Sequence, residues 1–179
     1  SLTGGGAERV AIELANSCDV EGLEVVLLVG SSDGRYKETI GAHVCLLTVG
    51  VPLAVSKTLH FSFRLRTLLK DWEPVVVISH LTEMNRMMLR CRLLGVLSVP
   101  VIVVDHNNMA LKVGVGMRGR VLRKELQFLY RRASAVVGVS QGVLDSVRDV
   151  TGISIAQGKV INNSIDVPVI QKAAVDQPV

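Results

Sequence analysis

The chain has 179 residues, of which 49% are apolar and 3% aromatic, with a net charge of +4 and a mean hydropathy of +0.41. That length suits one α/β domain around a single core, and the apolar content excludes a disordered chain. No apolar run nears the ~18 residues that a membrane-crossing helix needs, and the glycine-rich start does not read as a signal peptide.

Gly4-Gly5-Gly6 leads into Ala7, Val10, Ala11, Leu14 and Ala15. Those five recur at i, i+3, i+4, i+7 and i+8, one face of a helix that should end between residues 19 and 22. Residues 25–29 form an unbroken aliphatic run and read as a buried strand, with a loop over 30–34 at its C-terminal end. A second strand is expected over 43–49. Leu65, Leu68 and Leu69 keep a helical period within 56–70, and Glu73-Pro74 stops that helix before a third strand over 75–79. Met84, Met87, Met88, Cys91 and Leu94 mark another helical face, ending at Gly95. A fourth strand over 101–105 runs into a polar loop, His106-Asn107-Asn108. A helix rich in Arg and Lys covers 118–131, a fifth strand 135–139 and a short helix 142–150. A last strand at 159–161 precedes Asn162-Asn163, and the tail after Asp166 reads as a linker.

Strands alternating with helices predict a Rossmann-like parallel sheet with helices on both faces. Sparse aromatics and abundant aliphatics suit strands buried on both faces. Ligands of such sheets sit at the C-terminal ends of the strands. A domain of this type should open with a strand, whereas this chain opens with a loop, so the first strand is expected to be missing. Cys18, Cys45 and Cys91 form no C-x-x-C pair and read as buried reduced thiols, which favours a cytoplasmic setting. No His or Cys lies at ligand spacing with them, so no metal site is expected.

The glycine loop opens a helix, where free amides bind anions and a backbone without Cβ allows close approach. It reads either as a diphosphate contact or as a flexible turn with a helix cap. It is not a dinucleotide fingerprint, because Arg9 stands where the third glycine should fall, and no Lys-Ser/Thr follows to make a P-loop. His106, directly after a strand, can hydrogen-bond a sugar hydroxyl or a phosphate; the alternative is a loop histidine held locally. His80 is a similar case, and His43 and His60 read as structural or solvated. Arg118, Arg120, Arg123, Lys124, Arg131 and Arg132 cluster on one helix. They suit anionic lipid headgroups or a lipid-diphosphate acceptor, or are simply a solvated face. Aromatic interleaving for nucleic acid is poor. Gly138-Val139-Ser140-Gln141-Gly142 mimics a nucleophile elbow, but no His follows to complete a triad.

Taken together, these segments resemble the family 4 glycosyltransferases. The resemblance is carried by Gly4-Gly5-Gly6-Ala7-Glu8-Arg9-Val10, Val75-Val76-Val77-Ile78-Ser79-His80 and Val101-Ile102-Val103-Val104-Asp105-His106-Asn107. Val136-Val137-Gly138-Val139-Ser140-Gln141-Gly142-Val143 and Lys159-Val160-Ile161-Asn162-Asn163-Ser164-Ile165-Asp166 continue it in order. It implies the N-terminal, acceptor-side half (residues 1–166) of a GT-B enzyme, with 167–179 leading towards a C-terminal donor-binding domain absent from the chain. Such an enzyme transfers a sugar from a nucleotide-diphosphate sugar to a glycan or lipid-linked hydroxyl acceptor with retention, and this half should be inactive alone. Gly5 and Gly6 then approach the donor diphosphate, and His106 is the catalytic cleft histidine. His80, Asn107, Arg118 and Arg120 are assigned to the acceptor, with peripheral contact to an anionic membrane through the basic helix. The family uses neither metal nor cofactor. A GT-B sugar-nucleotide epimerase and a non-catalytic binding module are the alternatives.

Overall fold

In the computed structural model, the residues described are 2, 4–18, 22–52 and 54–163. The expected linker at 167–179 and the crossing at 164–166 lie outside them, as does Asp19 at the anticipated end of the first helix.

Among the described residues six short strands form, all paired in parallel: β1 (Val25–Val29), β2 (Val44–Thr48), β3 (Val77–His80), β4 (Val101–Asp105), β5 (Ala135–Gly138) and β6 (Gly158–Val160). Six α-helices among the same described residues connect or flank them: α1 (Gly6–Ser17), α2 (Thr58–Leu68), α3 (Thr82–Leu93), α4 (Met109–Val113), α5 (Gly116–Tyr130) and α6 (Gln141–Thr151). The expected Rossmann-like α/β class is what the chain adopts. The strands nevertheless fall into two sheets rather than one, β1-β2 and β3-β4-β5-β6. Helix α1 packs against both β1 and β3 and so bridges the two sheets.

The core follows the same division. The larger cluster joins Phe61, Leu65, Met87, Leu89, Val101, Val103, Leu126, Tyr130, Val136 and Val147 around the four-stranded sheet. A smaller one of Leu2, Ile12 and Val29 sits under α1. One core was expected, and the partition reflects the absence of hydrogen bonding between β1 and β3 among the described residues. Leu28 of β1 still packs on the larger cluster. Glu125 of α5 receives both Arg86 and Arg90 of α3, an ion-pair cluster that clamps the two helices side by side.

Several boundaries differ from those expected. The third strand starts two residues late, because Val77 N is the first to reach a β4-side acceptor, Pro100 O at 2.9 Å; Val75 is left 66% exposed. The loop after His106 contains α4, whose first turn is capped by the Asn108 side chain accepting from the Ala110 and Leu111 amides. Arg35–Thr39 forms a 3-10 turn where only loop was foreseen. Of the three cysteines, all free, Cys91 is buried while Cys18 and Cys45 are half-buried.

Candidate functional site

The strand ends of the four-stranded sheet and the start of α1 enclose an open cleft of about 330 Å³, lined by Gly5, Gly6, Ala7, Glu8, Leu81, His106, Asn107 and Asn163. Four loops thus converge at the carboxyl edge of the strands, where open α/β sheets bind ligands. A hollow of about 440 Å³ lies at the other edge, around Trp72–Pro74 and Val96–Val99, and carries no histidine or glycine turn.

The glycine loop forms the first wall. The Glu8 carboxylate reaches back and accepts from the amides of Gly4 and Gly5, both at 2.9 Å. Half of a capping box is formed in this way, and it leaves the loop shaped but partly saturated. The helix-opening amides of Gly6 and Ala7 carry no acceptor among the described residues, as the first turn of a helix dictates. What the loop offers an anion is therefore those amides and the positive end of α1. Arg35 lies alongside, its Nη2 donating to Gly4 O at 3.3 Å.

The second wall is built by the register of β3 on β4. His80 pairs with Val104. His106 is two residues beyond Val104, on the same side by strand alternation. The two imidazoles consequently meet, His80 Nδ1 lying 3.0 Å from His106 Nε2, with ring centroids 5.3 Å apart. Burial pushes the His80 pKa down to about 4, with the neighbouring His106 charge adding to it, and burial lowers His106 too. Both rings are neutral near pH 7. One ring donates to the other, which leaves the pair one N–H donor and one nitrogen acceptor.

Beneath this pair sits a polar network that sequence reasoning missed. Asp105 is fully buried, and its carboxylate accepts from Thr82 Oγ1 and Tyr130 OH, each at 2.9 Å. Asn85 Nδ2 donates to Val104 O at 3.1 Å. Burial raises the Asp105 pKa to about 6, against the pull of those hydrogen bonds. The network ties the end of β4 to α3 and α5 and so fixes where His106 emerges. Leu81, the residue after His80, holds φ at +72°. It is the one described non-glycine residue with positive φ, and it lines the cleft. Backbone strain of that kind collects at functional sites.

The structure thus brings Gly5, Gly6, His106 and Asn107 to one cleft, with His80 directly behind His106. Arg118 and Arg120 lie exposed on α5 and do not line it. Glu8, Arg35, Leu81 and Asp105 were not singled out from the sequence. For Glu8 the signal was present, because its spacing from Gly5 is that of a capping box. Among the described residues, no three His, Cys, Asp or Glu side chains converge as a metal ion would need.

A model of Glycosyltransferase Family 4 matches residues 4–168, a span that includes both the glycine turn and His106. The chain belongs to glycosyltransferase family 4. No curated protein matches it. A glycosyltransferase domain implies binding of a sugar donor and an acceptor. No helix among the described residues is long and apolar enough to cross a membrane.

Proposed function

We propose that this domain is the acceptor-side half of a GT-B enzyme that moves a sugar from a nucleotide-diphosphate donor to a hydroxyl acceptor with retention of configuration. A second Rossmann-like domain, following residue 166, closes the cleft and holds the nucleotide. The single observation that supports the reading most is the meeting of the Gly5–Gly6 turn and His106 on one cleft.

Each group has a role that its chemistry suits. Negative charge builds on the leaving diphosphate as the glycosidic bond to it breaks. Preorganised amides at a helix N-terminus stabilise such charge without reorganising. Gly6 and Ala7 supply them from this side, and no metal or cofactor is called upon. His106, kept neutral by burial, offers the transferred sugar a hydrogen bond rather than a charge. Asn107 contributes further polar contacts to the sugar or the acceptor at the rim. The setting that fits best is glycan or polysaccharide assembly at the cytoplasmic face of a membrane.

The test is transfer by the full-length protein, offered a panel of nucleotide sugars with glycan and lipid-linked acceptors. Product anomeric configuration is read by NMR. An α-linked donor giving an α-linked product supports retention. Transfer by His106→Ala at the wild-type rate would remove His106 from the site. Release of an altered nucleotide sugar without any acceptor would make the enzyme an epimerase instead.

A further inference from the structure

The segment after the cleft histidine carries an exposed surface that transfer chemistry does not use. Helix α4 is anchored by buried Met109 and Val113, yet Leu111 between them is 83% exposed. Gly114 and Gly116 follow with φ of +66° and +82°, left-handed positions that bracket Val115. Val115 stands at the apex of that turn, 98% exposed. On α5, Met117 and Val121 are 71% and 62% exposed and share a face at i, i+4. The turn is held rigidly: a Cβ on buried Gly119 would lie 2.6 Å from Gly114 O, so the α5 backbone packs directly on it.

The charge around this ridge is of one sign. From His106 to Lys124 there is no Asp or Glu, and there are five Lys or Arg. Lys112 pairs with Glu83 at 3.3 Å, and Arg123 donates to Asp149 O at 3.0 Å. Arg118, Arg120 and Lys124 are exposed and have no acidic partner among the described residues. Met117, Arg120, Val121 and Lys124 stand at i, i+3, i+4 and i+7, so two aliphatic side chains and two cations share a single helix face.

We propose that residues 111–124 dock on the surface of an anionic lipid bilayer. Leu111, Val115 and Met117 insert among the headgroups, while Arg118, Arg120 and Lys124 lie against the lipid phosphates. Exposed aliphatic side chains interspersed with cations that have no acidic partner among the described residues complement that surface. A protein interface would favour aromatic anchors at its centre, and residues 111–124 include none. Because α4 begins three residues after His106, docking brings the cleft to the membrane. That step rests on the transfer reading and directs the enzyme to lipid-linked acceptors; the docking itself does not depend on it.

The experiment is co-sedimentation of the full chain with two vesicle types, phosphatidylcholine alone and phosphatidylcholine mixed with phosphatidylglycerol, at low and high salt. Binding is expected to the mixed vesicles only, and to fall as salt rises. A paired Val115→Ser/Met117→Ser variant keeps every charge and should bind about tenfold more weakly, as should Arg118→Gln/Arg120→Gln. All four side chains are exposed, so unchanged thermal melting will show that the variants fold. Wild-type binding that neither pair weakens, or no binding to anionic vesicles, would overturn the proposal. If instead the apolar pair abolishes self-association seen by ultracentrifugation, the ridge is a protein interface. Transfer to a soluble short-chain acceptor, assayed without vesicles, tests the enzymatic reading separately.

Discussion

His80 and His106 share a hydrogen bond, Nδ1 to Nε2 at 3.0 Å, across neighbouring strands of a parallel sheet. One ring must donate and the other accept. His106 therefore has only its Nδ1 left for a ligand, and the tautomer of His80 decides whether that atom is a donor or an acceptor. His80, assigned to the acceptor from sequence, does not line the cleft and contacts His106 instead; on the proposed function its role is to position that ring.

Removing either ring should thus affect one function. On the proposed transfer reaction, His106→Ala is expected to lower kcat/KM by about 100-fold and His80→Ala by about tenfold. The double variant should be no worse than His106→Ala alone, because the two act as a unit. His80→Asn, whose amide reaches the Nδ1 position, should recover most of the loss. Nitrogen-15 NMR of the His106 ring gives the second readout: its tautomer should change in His80→Ala and return in His80→Asn. Additive losses in the cycle would separate the two residues.

Burial acts on the two titrating centres behind the cleft with opposite sign. Asp105 is raised from 3.8 to about 6. The folded state holds that proton more tightly, so its contribution is complete below pH 3.8 and is lost as pH rises through 6. His80 is lowered from 6.5 to about 4. Its contribution is complete above pH 6.5 and is lost as pH falls through 4. Each shift corresponds to about 3 kcal/mol, so the two largely offset between pH 4 and 6.5. Urea unfolding across that range should show wild-type stability varying less than either variant. Asp105→Asn leaves the histidines alone, and its stability should fall as the solution is acidified from pH 6.5. His80→Phe should do the reverse, losing stability between pH 4 and 6. Parallel curves for all three proteins would show that neither group titrates as described.

What the sequence revealed here was whatever is encoded locally. Segments such as Val25–Val29 and Val101–Val104 are unbroken β-branched and leucine runs, and their placement needs no partner. The cleft histidine and the glycine turn were legible because both sit at element ends, where a parallel sheet gathers ligands. The His80–His106 contact was not, because it depends on a register that pairs His80 with Val104. Nothing in either strand's own pattern sets that register. The Asp105 network was hidden for a similar reason, since Thr82, Asn85 and Tyr130 come from two different helices. Helix α4 has only five residues, too few to display a period, and its cap Asn108 reads equally well as a ligand-loop residue.

Leu81 should reverse the usual ranking of small replacements. Alanine normally serves better than glycine, which frees the unfolded chain. At φ +72° and ψ +137°, however, a side chain with Cβ is strained. Leu81→Ala loses partly buried aliphatic surface and keeps the strain, whereas Leu81→Gly loses the same surface and releases it. Denaturant melts should find the glycine variant more stable than the alanine variant by about 1 kcal/mol. The opposite order would mean that the backbone relaxes at no cost and that the loop between β3 and α3 is not held in tension.

Gly138 limits how closely α6 can approach the sheet. It ends β5, and a Cβ placed there would fall 2.7 Å from Leu144 N, 2.9 Å from Leu144 Cα and 2.8 Å from its Cβ. Two of those atoms are helix backbone, so no rotamer change removes the clash. Leu144 is itself buried against Val136 and Val147, and α6 also carries β6 on its flank. Gly138→Ala must therefore push the first turn of α6 outward, opening the core on one side and weakening β6 pairing on the other. An overpacking loss of about 2–3 kcal/mol is expected in urea unfolding. Hydrogen exchange should quicken in α6 and β6 while the β3–β4 pair stays protected. Uniform loss of protection would place Gly138 in the folding of the whole sheet rather than in the seating of one helix.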